Sequence, residues 1–144
     1  LVGLMLLNSL LASLLNALVV PCFKSVNSLG QYATVIGAAS GFLVGTYIPI
    51  GTLPSLAQNL MKLTPSTYMA SLFRQVLMKD SLTEVFADQS QLQQEFEKLL
   101  GIRIEWQQLL TSQETYYIVG VVLTVAALFW LGQNWLLNRR MGFK

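Results

Sequence analysis

Three apolar stretches constrain the fold of this chain more than any other feature of its sequence. They cover about 1–20, 32–50 and 116–137. Each is close in length to a helix of about 20 residues, which is what crossing a hydrocarbon core requires. Of the 144 residues, 53% are hydrophobic and only 11% are charged, whereas a soluble domain has about 25% charged residues. The sequence therefore predicts an all-α fold, a polytopic membrane helical bundle in contact with a lipid bilayer.

The charges are distributed unevenly, and this predicts how the spans are oriented. All 7 Asp and Glu residues lie between the second and third apolar stretches, whereas Lys24 follows the first stretch and Arg139, Arg140 and Lys144 follow the last. Lys and Arg in short loops favour the cytoplasmic side of a membrane. We therefore expect the loop after the first stretch and the C-terminus to be cytoplasmic, and residues 51–114 to lie outside.

The first apolar stretch opens the chain and carries a set of polar residues. It begins at Leu1, with neither an initiator Met nor a signal-peptide pattern, which predicts that the chain is the C-terminal part of a longer protein. Polar side chains in a membrane helix usually face the bundle interior. Ordinary helix packing and the lining of a substrate path both fit the polar residues here, which are Asn8, Ser9, Ser13 and Asn16.

Small residues recur every four positions in the second apolar stretch. They are Ala33, Gly37, Gly41 and Gly45, and on a helix they would share one face that lets a neighbouring backbone approach closely. This spacing predicts a helix-packing face. The partner is either another span of the same chain or the same helix in a second copy.

Prolines interrupt the segment after the second stretch, so no single straight helix runs through it. The prolines are Pro49, Pro54 and Pro65. Thr64 followed by proline is typical of a helix start. We predict two short helices, over about 53–63 and 65–79, which are too short to span and therefore lie at the outer interface or re-enter the membrane from it.

The second of these short helices has an apolar face with a charge at its edge. The apolar residues at helical spacing are Met69, Leu72, Phe73, Val76 and Leu77. Arg74 lies beside them. A charge near membrane depth either extends to the outer headgroups or is held by a partner.

A polar segment then precedes the last stretch. It has two capping-box patterns, each a Ser followed three residues later by Glu or Gln, and Gly101 predicts a helix end. The pairs are Ser81 with Glu84 and Ser90 with Gln93. We therefore divide the chain into a membrane domain over 1–80, an extracytoplasmic amphipathic helical insert over 81–114, and a last transmembrane helix with a cytoplasmic tail over 115–144.

The composition argues against several kinds of chemistry. The chain has no His, so it lacks the zinc-protease motif and the Ser-His or Cys-His pairs of hydrolases. It has no phosphate-binding Gly-x4-Gly-Lys motif and no carboxylate within a span. Its 9 basic residues are dispersed, unlike a nucleic-acid-binding patch. We predict that the chain is not an enzyme, binds no cofactor directly and does not bind nucleic acid.

The segment from Ser40 to Arg74 carries a pattern that resembles the ABC-2 type transporter permeases. A Gly-containing span, an exit Pro, a Leu-Pro pair and a Thr-Pro followed by a Tyr-bearing helix with an Arg occur in the order seen in that family. The matching residues are Ser40, Gly41, Pro49, Leu53, Pro54, Thr64, Pro65, Thr67, Tyr68 and Arg74. Two departures are Thr64, where Asn is common, and the insert of about 30 residues before the last span.

This resemblance implies the last three of six spans of a permease in a bacterial cytoplasmic membrane, part of an ATP-driven exporter. It implies an external gate with Pro49, Leu53, Pro54, Pro65, Tyr68 and Arg74. It also implies a cytoplasmic contact with an ABC ATP-binding subunit through Phe23, Lys24 and Leu29. ATP would be bound by that partner, and a second permease copy would complete a homodimer or heterodimer. Drugs, lipids, peptides and polysaccharides all remain possible substrates.

Two other classes of function also fit the sequence. A membrane scaffold or immunity-type protein would use the small-residue face to bind another membrane protein without transporting anything. A secondary transporter or passive channel would move its substrate without ATP. Association with an ATP-binding subunit distinguishes the exporter from both.

Overall fold

The computed structural model describes residues 1–87, 89–106 and 108–141, with side chains described as far as residue 136. In these ranges the chain is all-helical, as predicted. The helices are α1 (Val2–Val19), α2 (Val26–Leu43), α3 (Ser55–Lys62), α4 (Pro65–Val85), α5 (Ser90–Leu100) and α6 (Ser112–Met141), with short 3-10 turns over Val20–Cys22 and Ile50–Thr52. Lys144, Asp88 and the side chains of Arg139 and Arg140 lie outside this description.

The two long apolar helices, α1 and α6, pack side by side and run in the same direction. Leu4 and Leu11 of α1 share a buried cluster with Val119, near the start of α6. Leu18, at the other end of α1, lines an apolar groove with Leu128 and Leu136. Two spans that both cross from outside to inside are parallel, so this arrangement agrees with the relative orientation that the charges predict.

Length and composition make two described helices candidates for crossing a membrane. They cover Val2–Cys22 and Ser112–Leu136, close to the first and third predicted spans. Most of their surface is open, with Leu6 68% and Phe129 70% exposed. Apolar side chains on this scale are stabilised only when lipid or another protein covers them.

The prediction of a second straight helix over 32–50 is wrong in its bounds. Helix α2 begins earlier, where the Ser25 hydroxyl accepts a hydrogen bond from the Ser28 backbone N–H at 3.2 Å, and it ends at Leu43. Gly45 has φ +72°, the left-handed conformation that ends many helices. None of the α2 residues is buried. Helix α2 is not among the described helices that are long and apolar enough to cross a membrane.

Helix α4 packs across the first halves of α1 and α6 and forms the centre of the core. Tyr68, Met69 and Leu72 are buried there together with Leu4 and Val119. Pro65 occupies the first turn of α4, as Thr64 and Pro65 predict. The helix has 21 residues, about 32 Å at 1.5 Å per residue. It ends at Val85, beyond the predicted end at 79.

Two local predictions for this region are wrong. Ser81 lies inside α4, so it begins no helix. Helix α5 does begin at Ser90, but its cap residue is Gln89 and makes no side-chain cap hydrogen bond. On the predicted apolar face of α4, Met69 and Leu72 are buried, whereas Val76 and Leu77 are 45% and 65% exposed.

Helix α5 and the turns that follow it form a segment that we call the cap, described over residues 90–106 and 108–111. Ile102 and Ile104 are buried against the rest of the fold. Glu97 is buried as well, and its carboxylate accepts a hydrogen bond from Gln93 and pairs with Arg103 at 3.4 Å. The cap thus has polar contacts of its own and apolar contacts with the rest of the fold.

Candidate functional site

The polar side chains of α4 form one connected set, which we call the α4 hub. It consists of Thr67, Tyr68, Ser71, Arg74 and Gln75. Residues 67, 71 and 75 are four apart, so they lie on one helix face. The hub side chains donate mainly to backbone carbonyls at the ends of other elements, and every buried side-chain N or O atom of the described residues has a hydrogen-bond partner.

Thr67 joins the ends of two helices to the start of α4. Its hydroxyl is within hydrogen-bond distance of the Met61 carbonyl, at 2.8 Å, and of the Leu43 carbonyl, at 3.0 Å. The side chain is almost fully buried. The hydroxyl has one hydrogen, and the Met61 carbonyl also accepts from the Thr64 N–H at 2.9 Å. Carbonyls at helix C-termini lack partners within their own helix, so the Thr67 hydroxyl matters most for the Leu43 carbonyl at the end of α2.

One turn later, Ser71 and Gln75 hold the cap. The Ser71 hydroxyl donates to the Ile102 carbonyl at 2.6 Å, and the Gln75 amide nitrogen donates to the same oxygen at 2.9 Å. The Gln75 amide oxygen accepts from the Ser112 hydroxyl at 2.6 Å. Through these two residues α4 is joined to the end of α5 and to the beginning of α6.

Tyr68 connects the hub to an aromatic group at the surface. Its hydroxyl donates to the Lys62 carbonyl at 2.7 Å and accepts from the Trp106 indole at 3.1 Å. The Lys62 ammonium lies 5.9 Å from the Trp106 ring centre, within the range of a cation–π contact. Burial raises the pKa of Tyr68, and the hydrogen bond from Trp106 opposes part of that rise.

Arg74 is the cation at the centre of the hub, and its partners are carbonyls. Its guanidinium donates to Gly45 at 2.9 Å, to Val44 at 3.1 Å and to Gly101 at 3.3 Å. Among the described residues, the ion pairs join other groups, and no carboxylate pairs with Arg74. Burial lowers the pKa of Arg74, but an arginine stays protonated in proteins.

The two helix ends at Arg74 have the same local structure. At the end of α2, Gly45 N–H donates to Phe42 and Thr46 N–H to Gly41. At the end of α5, the N–H of Gly101 donates to Lys98 and that of the next residue to Glu97. Both are Schellman motifs with a left-handed glycine. The negative ends of two helix dipoles therefore point at one guanidinium, which favours its positive charge.

Ile50 fills the space between these two glycines. A Cβ added to Gly101 would lie 2.5 Å from the Ile50 Cδ1, and one added to Gly45 would lie 2.7 Å from the Ile50 Cγ1. A Cβ added to Gly51 would lie 2.7 Å from the Leu99 Cα. Only glycine allows this approach, so Ile50, Arg74 and the two glycines form a tight joint between α2, α4 and α5.

The residues predicted for the external gate lie on or next to this joint. Pro49 and Pro54 precede the 3-10 turn and α3, and Pro65 begins α4. Leu53 lines an apolar groove with Phe42. Tyr68 and Arg74 belong to the hub, so the structure places these predicted residues in one region, at the N-terminal ends of α1 and α6.

The predicted small-residue face is only partly present. Ala33 and Gly37 are on the exposed surface of α2, and a Cβ on Gly37 would meet nothing within 4 Å. Gly41 is covered by the Tyr47 ring. The assignment of Gly45 to this face is wrong, because Gly45 ends the helix.

The other predicted sites are far from the hub in the chain. All four polar residues of α1 are exposed. Ser9, Ser13 and Asn16 lie on the side of the helix away from Leu4 and Leu11, which are buried, whereas Asn8, four residues after Leu4, lies at the edge of the buried face. In the turn between α1 and α2, Lys24 is exposed and the Phe23 ring contacts Tyr32 at 5.0 Å. The α1 residues are Asn8, Ser9, Ser13 and Asn16, and Leu29 is half-buried in α2.

Sequence reasoning missed Ser71, Gln75 and the partners of Arg74. The signal that was available is the four-residue spacing of the polar residues 67, 71 and 75 among the apolar residues Met69, Leu72 and Phe73.

No family model, no curated protein and no solved structure matches this chain. Function is therefore inferred from the residues and their geometry.

Proposed function

We propose that this chain forms the C-terminal half of the transmembrane permease of an ABC-2 type exporter, with ATP hydrolysed by a separate subunit. The observation that carries the proposal is the position of the proline-started helix α4, on which the proline-started helix α3 packs. Helix α4 lies across the N-terminal halves of two parallel apolar helices, as a gate at one end of a membrane path would. In this proposal that end is the outer one, and the permease lies in a bacterial cytoplasmic membrane.

The exposed surface supports a membrane setting. Large apolar side chains cover the outside of both α1 and α6, among them Val2, Leu6 and Leu128, which are 70%, 68% and 65% exposed. Burial of such a side chain is worth about 1.5–3 kcal/mol, and this chain alone does not provide it. An apolar groove of about 710 Å³ between α1 and α6, lined by Phe129 and Gly132, is also open to lipid or to another helix.

The proposed mechanism requires a membrane element with two states whose balance depends on nucleotide binding in the partner. Helix α2 suits the moving part, because it has no buried residue and contacts the rest of the fold mainly at its C-terminal end. The turn before it carries Lys24 toward the surface, where the ATP-binding subunit would contact it together with Phe23 and Leu29. Movement there would reach the gate through α2. The polar side of α1 is the proposed lining of the path.

The experiment is to purify the full-length protein with its native partners and to reconstitute it in liposomes. We expect an ATP-binding subunit in the complex, with ATPase activity that rises in the presence of the permease. Lys24→Gln should reduce that rise, whereas Lys79→Gln, which changes an exposed lysine on the opposite side of the fold, should not. Failure of any ATPase to associate would contradict the proposal.

One observation favours a second candidate, a membrane scaffold that transports nothing. The exposed face of α2 around Ala33 and Gly37 has no partner in the described residues, as a binding surface for another membrane protein would. Transport measurements separate the two functions. Stable association with a membrane protein that has no ATP-binding subunit, without movement of any substrate, would favour the scaffold.

A further inference from the structure

The end of α2 meets the cap at two side chains, Arg74 and Ile50. Thr67 holds the Leu43 carbonyl to α4, but among the described residues only Arg74 hydrogen-bonds to both the end of α2 and the end of α5. Ile50 adds an apolar contact between the same two ends. A guanidinium has its donors in a rigid planar fork, and this shape is what lets one residue reach two helix ends.

Among the described residues no carboxylate pairs with Arg74. This lowers the free energy needed to separate Arg74 from its partners. A cation buried beside an anion is costly to separate, whereas donor bonds to neutral carbonyls can be exchanged for water with less loss. The joint is therefore specific in geometry and still able to open. Such a contact suits a joint between parts that move, rather than a permanent core.

We propose that Arg74 is a clamp that couples the C-terminal end of α2 to the cap, so that α2 and the cap move as one unit. When the guanidinium releases the Val44, Gly45 and Gly101 carbonyls, only the apolar contact of Ile50 still joins the end of α2 to the cap directly, while α1, α4 and α6 keep their packing. The use of the clamp to control an outer gate rests on the proposed function, but the coupling itself does not.

The test measures distances between spin labels on the full chain in lipid nanodiscs. Cys22, the only cysteine in the sequence, is first replaced by Ser. One label pair joins α2 to the cap, at Ala38→Cys and Gln94→Cys. A second pair joins α1 to α6, at Leu6→Cys and Phe129→Cys. All four label positions are exposed.

With Arg74 present, we expect a single narrow distance distribution for both pairs. Arg74→Met should cause loss of the narrow α2–cap peak and leave the α1–α6 peak unchanged. Arg74→Lys should do the same, because a lysine keeps the charge but has no fork to reach two helix ends. Lys79→Met is the matched control, since it removes an exposed cation one turn along the same helix, and it should change neither peak.

Two results would overturn the clamp. One is an unchanged α2–cap peak in both Arg74 variants. The other is equal broadening of both label pairs in both variants, which would mean that Arg74 supports the whole fold and not this coupling. Neither result depends on ATP, substrate or a partner subunit, so the clamp and the exporter proposal are tested separately.

Discussion

Replacing Gly101 by alanine tests the tight joint directly. Gly101 has φ +65°, and an L-residue in this left-handed region costs about 1–2 kcal/mol. The new Cβ would lie 2.5 Å from the Ile50 Cδ1 and 3.4 Å from the Arg74 Nη1, and inserting a methyl group into a filled space costs about 1–3 kcal/mol. Restriction of the unfolded chain returns about 0.4–1 kcal/mol, so we expect a net loss of about 1–5 kcal/mol.

The assay is equilibrium unfolding in detergent micelles, followed by tryptophan fluorescence. Gly37→Ala is the matched control, because a Cβ there meets nothing within 4 Å and alanine is favoured over glycine inside a helix by about 0.5–1 kcal/mol. It should leave stability unchanged or raise it slightly. The two variants make the same chemical change, so the difference between them reports the joint.

A double mutant separates the clash from the backbone strain. Ile50→Ala is itself destabilising, since Ile50 is buried, but it removes the atoms that the Gly101→Ala methyl group would meet. The double variant should therefore be more stable than the sum of the single effects predicts, by about 1–3 kcal/mol. If Gly101→Ala is as stable as the original protein, or if the two effects simply add, then the described joint is wrong.

Three further predictions concern the hub and the cap. Thr67→Val removes the buried hydroxyl that donates to the Leu43 carbonyl at the end of α2, so it should lower the free energy of unfolding by about 1–3 kcal/mol, whereas Thr83→Val, on the exposed part of α4, should change it little. Because the pKa of Tyr68 is raised in the folded protein, its contribution to stability is complete below its unfolded pKa, about 10, and is lost as the pH rises through the folded pKa. In Tyr68→Phe the free energy of unfolding should therefore fall less between neutral and alkaline pH than it does in the original protein. Glu97→Gln should destabilise the cap in thermal unfolding more than Glu105→Gln does, because Glu97 is buried with Arg103 while the Glu105 pair is exposed and such pairs contribute about 0–1 kcal/mol.

The sequence predicts the long apolar helices well because length and composition are local properties. The first and third stretches correspond closely to α1 and α6, and Pro65 and Gly101 occupy the helix start and end that they predict. These features depend on proline and glycine geometry, which changes little with tertiary context. Their common direction also agrees with the charge pattern.

Gly45 shows why the second stretch was less predictable. Its four-residue spacing from Gly41 fits a packing face, but a glycine at that position also ends a helix when it takes a left-handed conformation. Spacing does not distinguish these roles. The contacts of Gly45 with Ile50 and Arg74 decide between them, and Arg74 is distant in sequence.

The α4 hub and the capping boxes illustrate the same difficulty. Ser81 and Glu84 match a helix start, yet α4 continues through them to Val85. The hub residues donate to carbonyls of segments about 25–30 positions away, and backbone carbonyls leave no mark in a sequence. Only the polar register of α4 could have indicated that its polar face is buried.

The most direct test of the proposed membrane arrangement is cysteine labelling on intact bacterial cells. In a Cys22→Ser background, a cysteine at Glu95 in the cap and another at Lys24 in the turn after α1 are exposed in turn to a membrane-impermeant maleimide. The account predicts labelling at Glu95 on intact cells and at Lys24 only after the membrane is permeabilised. Labelling at Lys24 with protection at Glu95, or recovery of the protein in the detergent-free soluble fraction, would contradict it.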